Sequence, residues 1–280
     1  MTLNPQAVGL ESSESTLNFD WKTLALYALG IGAKRSELDY LYEARGPKVF
    51  PTFAVVPGYP VLFELLGRSG GSLSQVVHAT QSVRVLGPLP RSGELSTRGK
   101  IVGLYDMKKF AQMVFETRTS CEGHPVFETE WSMFFLGEGG FGGPRPPKNP
   151  VPKIPGDAQP VFEVEELVPA EQALLYRLSG DYNPLHADPA SAAQVGFPEG
   201  PILHGLATYG YCARALIHSA LGGDATRLRA FHAQFRKPIW PGERLRMQGF
   251  LVDGAYVLRA RAEDREDPVA LCAAEVVPPQ

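Results

Sequence analysis

The chain has 280 residues, a formal net charge of −3 and 44% hydrophobic residues. This length suffices for one large or two ordinary domains, and the near balance of charge argues against a basic surface for nucleic acid. The three cysteines are too scattered for a disulfide framework or a zinc motif. No segment reads as a signal peptide, a membrane span or a C-terminal peroxisomal signal, so we expect a cytoplasmic protein that does not bind membranes.

The first half predicts a helix and then strands. Its second apolar segment is interrupted by Pro57-Gly58-Tyr59-Pro60, and prolines at this spacing should prevent a continuous helix. Strand-like patterns bounded by turn residues follow at positions 78–86, 94–106, 112–119 and 126–136. Residues 137–159 are rich in glycine and proline and read as an extended linker. We therefore expect one domain at 1–136 and a second at 160–280.

The second half contains the most informative stretch, Tyr176–His186. Asp181 and His186 lie on either side of Asn183-Pro184, where the proline fixes its own φ and keeps the asparagine out of the helical region. The chain must turn there, so the acid and the imidazole can converge on one point. Such a pair can hold a water molecule and move protons near neutral pH. The alternative is that Asp181 caps a helix and His186 is a core residue bonded to a carbonyl.

A long apolar segment, Leu206 to Leu221, follows this motif and stops at Gly222-Gly223. It predicts a helix, and the Gly205 N–H at its start could stabilise an oxyanion. Strand-like patterns complete the half at 230–235, 244–252, 255–262 and 269–277, and 252–255 reads as a hairpin turn. Pattern alone predicts an α+β fold.

Asp188 precedes Pro189 and a run of small residues, which is typical of a helix N-cap with proline at the first helical position. The spacing of His186 and Asp188, with His204 as a third donor, also permits a metal site. We expect no metal, because capping explains Asp188 and no further carboxylate or cysteine lies nearby in the sequence.

The two halves are similar to each other. Leu26–Leu29 parallels Leu175–Leu178, and Pro88–Leu95 parallels Pro238–Leu245, at nearly the same offset. Two distant matches whose offsets agree to one residue predict an internal repeat, although turn residues shared by chance would give the same pattern. In this register Gly32 replaces Asp181 and Glu37 replaces His186, so the first half lacks the acid–imidazole pair.

Tyr176–His186, Ala187–Pro189 and Pro201–Gly205 resemble the hydratase 2 motif of the MaoC-like (R)-specific enoyl-CoA hydratases. Further stretches are similar to the two-domain members of that family, which include the hydratase domain of peroxisomal multifunctional enzyme type 2. These stretches are Leu26–Ala33, Pro51–Val55, Pro88–Arg91 and Gly139–Gly143. The resemblance extends from about Phe19 to about Val277.

This resemblance implies a double hotdog fold, in which each half is a curved antiparallel sheet around a helix and the first central helix is broken. It implies the addition of water to a trans-2-enoyl-CoA, giving the (3R)-3-hydroxyacyl-CoA, with no cofactor beyond the CoA of the substrate. The second half would carry the chemistry, and the broken helix of the first would leave apolar volume for a long acyl chain.

Site residues follow from the same resemblance. The implied catalytic residues are Asp181, Asn183, His186 and Gly205, with the Gly205 N–H bound to the thioester oxygen. We assign water deprotonation to His186 and protonation of C2 to Asp181, with the reverse assignment left open. The implied substrate contacts are His78, Ala79, Lys108, Tyr182, Pro184, Leu185 and Phe235, and the implied supporting residues are Tyr27 and Glu43. Relatives often have glycine in place of Ala79, and Lys109 could replace Lys108.

Several functions remain open at this point. The rivals to a hydratase are a dehydratase that acts on carrier-protein-bound or steroid-derived thioesters, an acyl-CoA-binding protein without turnover, and a thioesterase. A non-catalytic protein would have no use for a water-activating pair. The expected partners are an acyl-CoA thioester and a second copy of the chain in a homodimer.

Overall fold

Ten strands form a single antiparallel sheet in the described part of the chain, residues 3–263 and 265–278 of a computed structural model. The strands are β1 Ser15–Phe19, β2 Val76–Val85, β3 Gly93–Asp106, β4 Phe110–Cys121, β5 His124–Leu136, β6 Phe162–Leu167, β7 Leu228–Phe235, β8 Arg244–Val252, β9 Ala255–Ala262 and β10 Ala270–Val276. The α-helices are α1 Trp21–Gly30, α2 Leu38–Leu41, α3 Tyr59–Arg68, α4 Gln172–Tyr176, α5 Pro189–Gln194 and α6 Gly205–Ala220. The α+β prediction is confirmed.

The strand order repeats between the halves, as the internal repeat predicts. The sheet reads β1-β3-β4-β5-β2 and then β7-β10-β9-β8-β6, so each half has the same order, running outward from a common centre. The halves join where β2 pairs with β7, from Thr80 opposite Gln234 to Arg84 opposite Ala230. Backbone hydrogen bonds therefore run without a break across the junction.

The eight predicted strands are all present, and β8 and β9 have the predicted bounds. Between them Asp253 and Gly254 both have positive φ, 49° and 82°, which is the conformation of a type I′ hairpin turn. β1 and β6 lie outside the predicted strands. They are short and form the two edges of the sheet, where natural sheets commonly use short, polar strands whose sequence signal is weak.

Helix α6 lies in the core and matches the predicted helix to within one residue at each end. Its residues from Leu206 to Ile217 are buried, and the Tyr209 hydroxyl donates to the Phe231 carbonyl of β7 at 2.8 Å. Among the described residues, no helix combines the length and the apolar character needed to cross a membrane.

The corresponding helix of the first half is broken, as predicted, but it is not lost. A 3₁₀ turn at Pro51–Val55 precedes α3, which begins at Tyr59 with Pro60 in its first turn. Proline is accepted there because the first N–H groups of a helix have no partner within it. After the break the first half contributes a ten-residue amphipathic helix, and the role of this half in holding an acyl chain stays a prediction.

An ion network occupies the first-half positions that the repeat aligns with the acid and the imidazole. Glu37 contacts Arg214 of α6 at 2.6 Å and His218 at 2.9 Å, and Arg214 also pairs with Glu166. A Cβ at Gly32 would overlap the ring of Tyr211. Side chains of α6 therefore make packing and ionic contacts at the first-half positions that the repeat aligns with Asp181 and His186.

Candidate active site

A cavity of about 610 Å³ opens between α3, the start of α6 and the ends of β2 and β7. Its polar end carries Asp181, Asn183, His186 and Gly205. Most of the remaining wall is apolar, and it includes Tyr59, Leu62, Phe63, Leu66, Leu73, Val76, Val77, Trp131, Met133, Leu206 and Phe235. A polar group at one end of an apolar cavity suits a ligand with a reactive head and a long hydrocarbon tail.

The turn that carries the acid and the imidazole is built by short side-chain-to-backbone hydrogen bonds. The Asp181 carboxylate accepts from the Asn183 N–H at 3.2 Å, and the Asn183 side chain accepts from the Leu185 N–H at 3.1 Å. Pro184 starts a 3₁₀ turn that ends at His186. The sequence therefore folds locally so that Asp181 and His186 approach each other, as the proline predicts, with donor and acceptor atoms within 4.8 Å.

The His186 ring has a defined hydrogen-bonding role. Its Nδ1 lies 2.9 Å from the Ile202 carbonyl, which can only accept, so Nδ1 carries the proton and Nε2 carries the lone pair. Burial lowers the pKa of His186, and the charge of Asp181 opposes that shift. A neutral imidazole with a free Nε2 is the form that accepts a proton from water.

His204 is the site residue that the motif did not assign a catalytic or supporting role. Its ring stacks on His186 with centroids 3.8 Å apart, and its Nε2 lies 3.2 Å from the Asp181 carbonyl. The one sequence signal for His204 is its position directly before Gly205. Its contacts with His186 and Asp181 arise from packing between distant segments, which residue spacing does not reveal.

Three side chains of the site, Asp181, His186 and His204, could in principle hold a metal ion, since their ligand atoms lie within 4.8 Å of one another. Asp188 does not belong to that group, because its carboxylate caps α5 by accepting from Ala190 N and Ser191 N at 3.1 and 3.3 Å. The N-cap prediction is thus confirmed. The two imidazole planes differ by only 27°, so their in-plane lone pairs converge poorly on one ion.

The start of α6 supplies a backbone donor. Gly205 is the first helical residue, so the helix itself offers no carbonyl to its N–H. The residue borders the cavity, and a Cβ in its place would meet the Phe235 ring at 3.4 Å. Gly205 therefore brings to the cavity wall an N–H that has no acceptor within its own helix, a donor of the kind that stabilises a developing oxyanion.

The predicted substrate contacts divide into two groups. His78, Tyr182, Leu185 and Phe235 line the cavity. The His78 ring packs edge-on against Phe235 at 4.9 Å, and burial lowers the pKa of His78 to about 4. Ala79 is buried at a β-bulge of β2, where pairing with β5 shifts register between His78 and Thr80.

The other predicted residues lie outside the cavity wall as the described residues define it. Pro184 is exposed in the turn, Lys108 lies between β3 and β4 with φ of 67°, and Glu43 is exposed after α2. Tyr27 is buried between Phe53 and Tyr176 in the core beside the site. Their roles stay predictions.

The cavity also has basic residues that the sequence did not single out. Arg236 and Lys237 directly follow Phe235 and border the cavity with exposed side chains. Lys237 lies 3.3 Å from Asp267, and both of these side chains are more than half exposed. The mouth of the cavity thus offers two cations to a phosphorylated ligand.

Two protein families match successive parts of the chain. Residues 17–137 match the MFE-2 hydratase 2 N-terminal domain, and residues 153–266 match the MaoC-like domain. The chain is 36% identical to enoyl-CoA hydratase ChsH3 of Mycobacterium tuberculosis, over 97% of this chain and 98% of that protein.

Solved structures agree with this assignment. A MaoC-like dehydratase from Phytophthora capsici matches with a TM-score of 0.87 and 28% identity, over 98% of both chains. A second Mycobacterium tuberculosis protein, described as having a double hotdog fold, matches with a TM-score of 0.61 and 14% identity, over 95% of both chains. The double hotdog prediction is confirmed. The chain belongs to the MaoC-like hydratase 2 family, in the form that carries an MFE-2 hydratase 2 N-terminal domain before the MaoC-like domain.

Proposed function

We propose that the protein is an (R)-specific trans-2-enoyl-CoA hydratase, which adds water reversibly to form the (3R)-3-hydroxyacyl-CoA. One observation carries this proposal. Asp181 and His186 converge beside the Gly205 N–H at the polar end of an apolar cavity. The hydratase names of the similar proteins support the same activity. They do not favour the dehydratase alternative.

The geometry suggests how water is added. A water molecule held between His186 Nε2 and Asp181 gives one proton to the imidazole, and its oxygen forms a bond to C3 of the enoyl group. Electrons move from the double bond toward the thioester oxygen, whose negative charge the Gly205 N–H stabilises. The imidazolium passes this proton to the Asp181 carboxylate, which transfers it to C2. Both groups are then back in their starting forms. The reaction balances equally well if Asp181 takes the proton from water and His186 gives a proton to C2.

The two ends of the substrate find matching surfaces. The acyl chain would lie along α3, against Leu62 and Leu66, because these side chains form the apolar wall away from the catalytic turn. The phosphates of CoA would approach the exposed Arg236 and Lys237, since guanidinium and ammonium groups are the usual phosphate ligands in proteins. This arrangement would place the thioester between the two ends, beside Gly205.

The direct test is the loss of enoyl-thioester absorbance with crotonyl-CoA, followed by chiral chromatography of the product with and without EDTA. We expect the (R) product and no effect of EDTA. An (S) product would contradict the proposed stereochemistry, and EDTA-sensitive activity would mean that a metal takes part. Release of free CoA would indicate a thioesterase, and binding without turnover would indicate a non-catalytic protein.

A homodimer and a cytoplasmic location are part of the same proposal. The homodimer follows from the family resemblance, and the location is the default expectation from the sequence. Light scattering of the purified protein and fractionation of its cells would test them. A monomer, or recovery with organelles, would contradict them.

A further inference from the structure

His204 contacts both members of the catalytic pair, although it lies outside the turn that carries them. Its ring stacks on His186 with centroids 3.8 Å apart, and its Nε2–H donates to the Asp181 carbonyl at 3.2 Å. On its other side the ring packs against Tyr176 at 4.9 Å. One side chain therefore fixes the position of the imidazole and of the peptide that carries the carboxylate.

The chain keeps this histidine at a position where other residues would stabilise the fold better. His204 is the N-cap of α6, but its side chain makes no capping hydrogen bond, whereas Ser, Thr, Asp or Asn would bond a free helix N–H there. Its Nδ1 is buried and has no hydrogen-bond partner among the described residues, which is unfavourable for a polar atom. A histidine that is only 1% exposed and caps nothing is best explained by its two contacts with the site.

The charge on the neighbouring groups is compatible with that role. Burial and then the nearby His186 lower the pKa of His204 well below its ordinary value, and the Arg177 charge acts in the same direction. Asp181, His186, Arg177 and Tyr176 are the titratable groups around it. A neutral imidazole stacked on His186 does not repel the imidazolium that forms when His186 takes a proton, and its π face attracts that cation.

We propose that His204 is a positioning residue of the hydration reaction, which holds the His186 ring by stacking and the Asp181 backbone by one hydrogen bond. It touches neither substrate nor water and acts only through the two catalytic residues. The role rests on the proposed hydratase function. It predicts that His204 affects the rate of the chemical step and leaves substrate binding almost unchanged, since a small misplacement of catalytic groups lowers turnover strongly.

Two substitutions of similar size separate the two contacts. His204→Phe keeps an aromatic ring for stacking and loses the N–H donor. His204→Gln keeps an amide donor near the Nε2 position and loses the ring. We expect each to lower kcat by about tenfold and His204→Ala by about 100-fold, with KM for crotonyl-CoA and Kd for the unreactive butyryl-CoA changed less than about threefold. The matched control is Tyr209→Phe, which removes a buried hydrogen bond from the same helix without contact to the catalytic pair.

A double-variant comparison decides between positioning and simple packing. If His204 acts through His186, adding His204→Ala to His186→Ala should cause little further loss of kcat, because the residue it positions is absent. Full additivity of the two losses, or a loss of kcat in Tyr209→Phe equal to that of His204→Phe at the same fall in Tm, would overturn the proposal. So would wild-type kcat in both His204→Phe and His204→Gln. A wild-type protein that hydrates no enoyl-CoA would overturn the proposed function itself and this role with it.

Discussion

The α3 wall of the cavity predicts how the enzyme measures acyl-chain length. Tyr59 lies near the catalytic turn, and Leu66 lies seven residues further along the helix, which is about 10 Å at 1.5 Å per residue. We therefore expect Leu66 to face the part of the cavity that only a long acyl chain would reach. Leu66→Trp should fill that part with an indole ring and leave the space for a four-carbon acyl group unchanged.

The expected size of the effect follows from the buried tail. The larger ring would displace roughly three to four methylene groups, each worth about 0.8 kcal/mol when buried. The loss of about 3 kcal/mol corresponds to roughly a 100-fold lower kcat/KM for decenoyl-CoA. Crotonyl-CoA should be hydrated within about twofold of the wild-type rate, because its acyl group ends before the substituted position.

The assay compares the two substrates by loss of enoyl absorbance, with Tm measured on the same samples. Gly67→Trp is the matched control, because Gly67 is exposed on the same helix and a Cβ there meets no atom within 4 Å. Equal losses on both substrates, or wild-type kcat/KM for decenoyl-CoA, would refute the assignment of α3 to the acyl tail.

Four further predictions concern the polar end. Asp181→Asn and His186→Ala should each lower kcat by at least about 100-fold with little change in Tm. Gly205→Pro should lower kcat by about 100- to 1000-fold and keep the helix, because it removes one N–H at the helix position that accepts proline. The double variant Arg236→Gln/Lys237→Gln should raise KM for crotonyl-CoA by up to about tenfold, and by less at high salt. It should leave KM unchanged for the crotonyl thioester of N-acetylcysteamine, which lacks phosphates. Because burial lowers the pKa of His186, its neutral form persists as pH falls, so kcat/KM should decline on the acid side only below the usual histidine value of about 6.5.

Two of these predictions have a matched control, and each has an opposing outcome. His124→Ala, at an exposed histidine, and Arg229→Gln, at an exposed arginine, should leave the kinetics unchanged. Near-wild-type turnover in a folded Asp181→Asn or His186→Ala variant would remove the catalytic assignment. Activity retained by Gly205→Pro would exclude its N–H as the oxyanion donor. An equal rise of KM for both thioesters would exclude a phosphate contact. A decline of kcat/KM that begins above pH 6.5 as pH falls would contradict the assignment of neutral His186 as the base.

Stability should respond to pH through His78, the half-buried histidine of the cavity wall. The pKa of His78 is lowered to about 4 by burial, so the unfolded chain binds more protons than the folded one between about pH 6.5 and 4. Its contribution to stability is present above pH 6.5 and is lost as pH falls toward 4. His78→Phe should therefore flatten the dependence of Tm on pH in this window, and an unchanged slope would contradict that account.

Local features of the site could be predicted from the sequence, whereas contacts between distant segments could not. Pro184 constrains its own φ and that of its neighbour, so the approach of Asp181 and His186 follows from a few adjacent residues. Asp188 as a helix cap and Asp253-Gly254 as a hairpin turn are local in the same way.

The contact of His204 with the pair depends on how α6 packs against the turn, and spacing along the chain carries no information about it. Spacing also does not predict that α3 forms a wall of the cavity, or that Arg236 and Lys237 lie at the mouth of the cavity. The sequence did not predict β1 and β6, which form the edges of the sheet. An edge strand is stabilised by pairing with one neighbouring strand and does not need a buried apolar pattern of its own.

The pairing of β2 with β7 has an evolutionary consequence. Two separate hotdog chains would each expose one of these strands as an edge, and identical copies would pair with one another as readily as with a diverged copy. Joining both in one chain fixes the combination, so every molecule contains one half of each kind. In the register of the repeat, the first half has Gly32 and Glu37 where the second half has Asp181 and His186, and Glu37 pairs with Arg214 of the second half. The two different halves are therefore inherited together. Selection can act on binding of the acyl tail in one half and on proton transfer in the other.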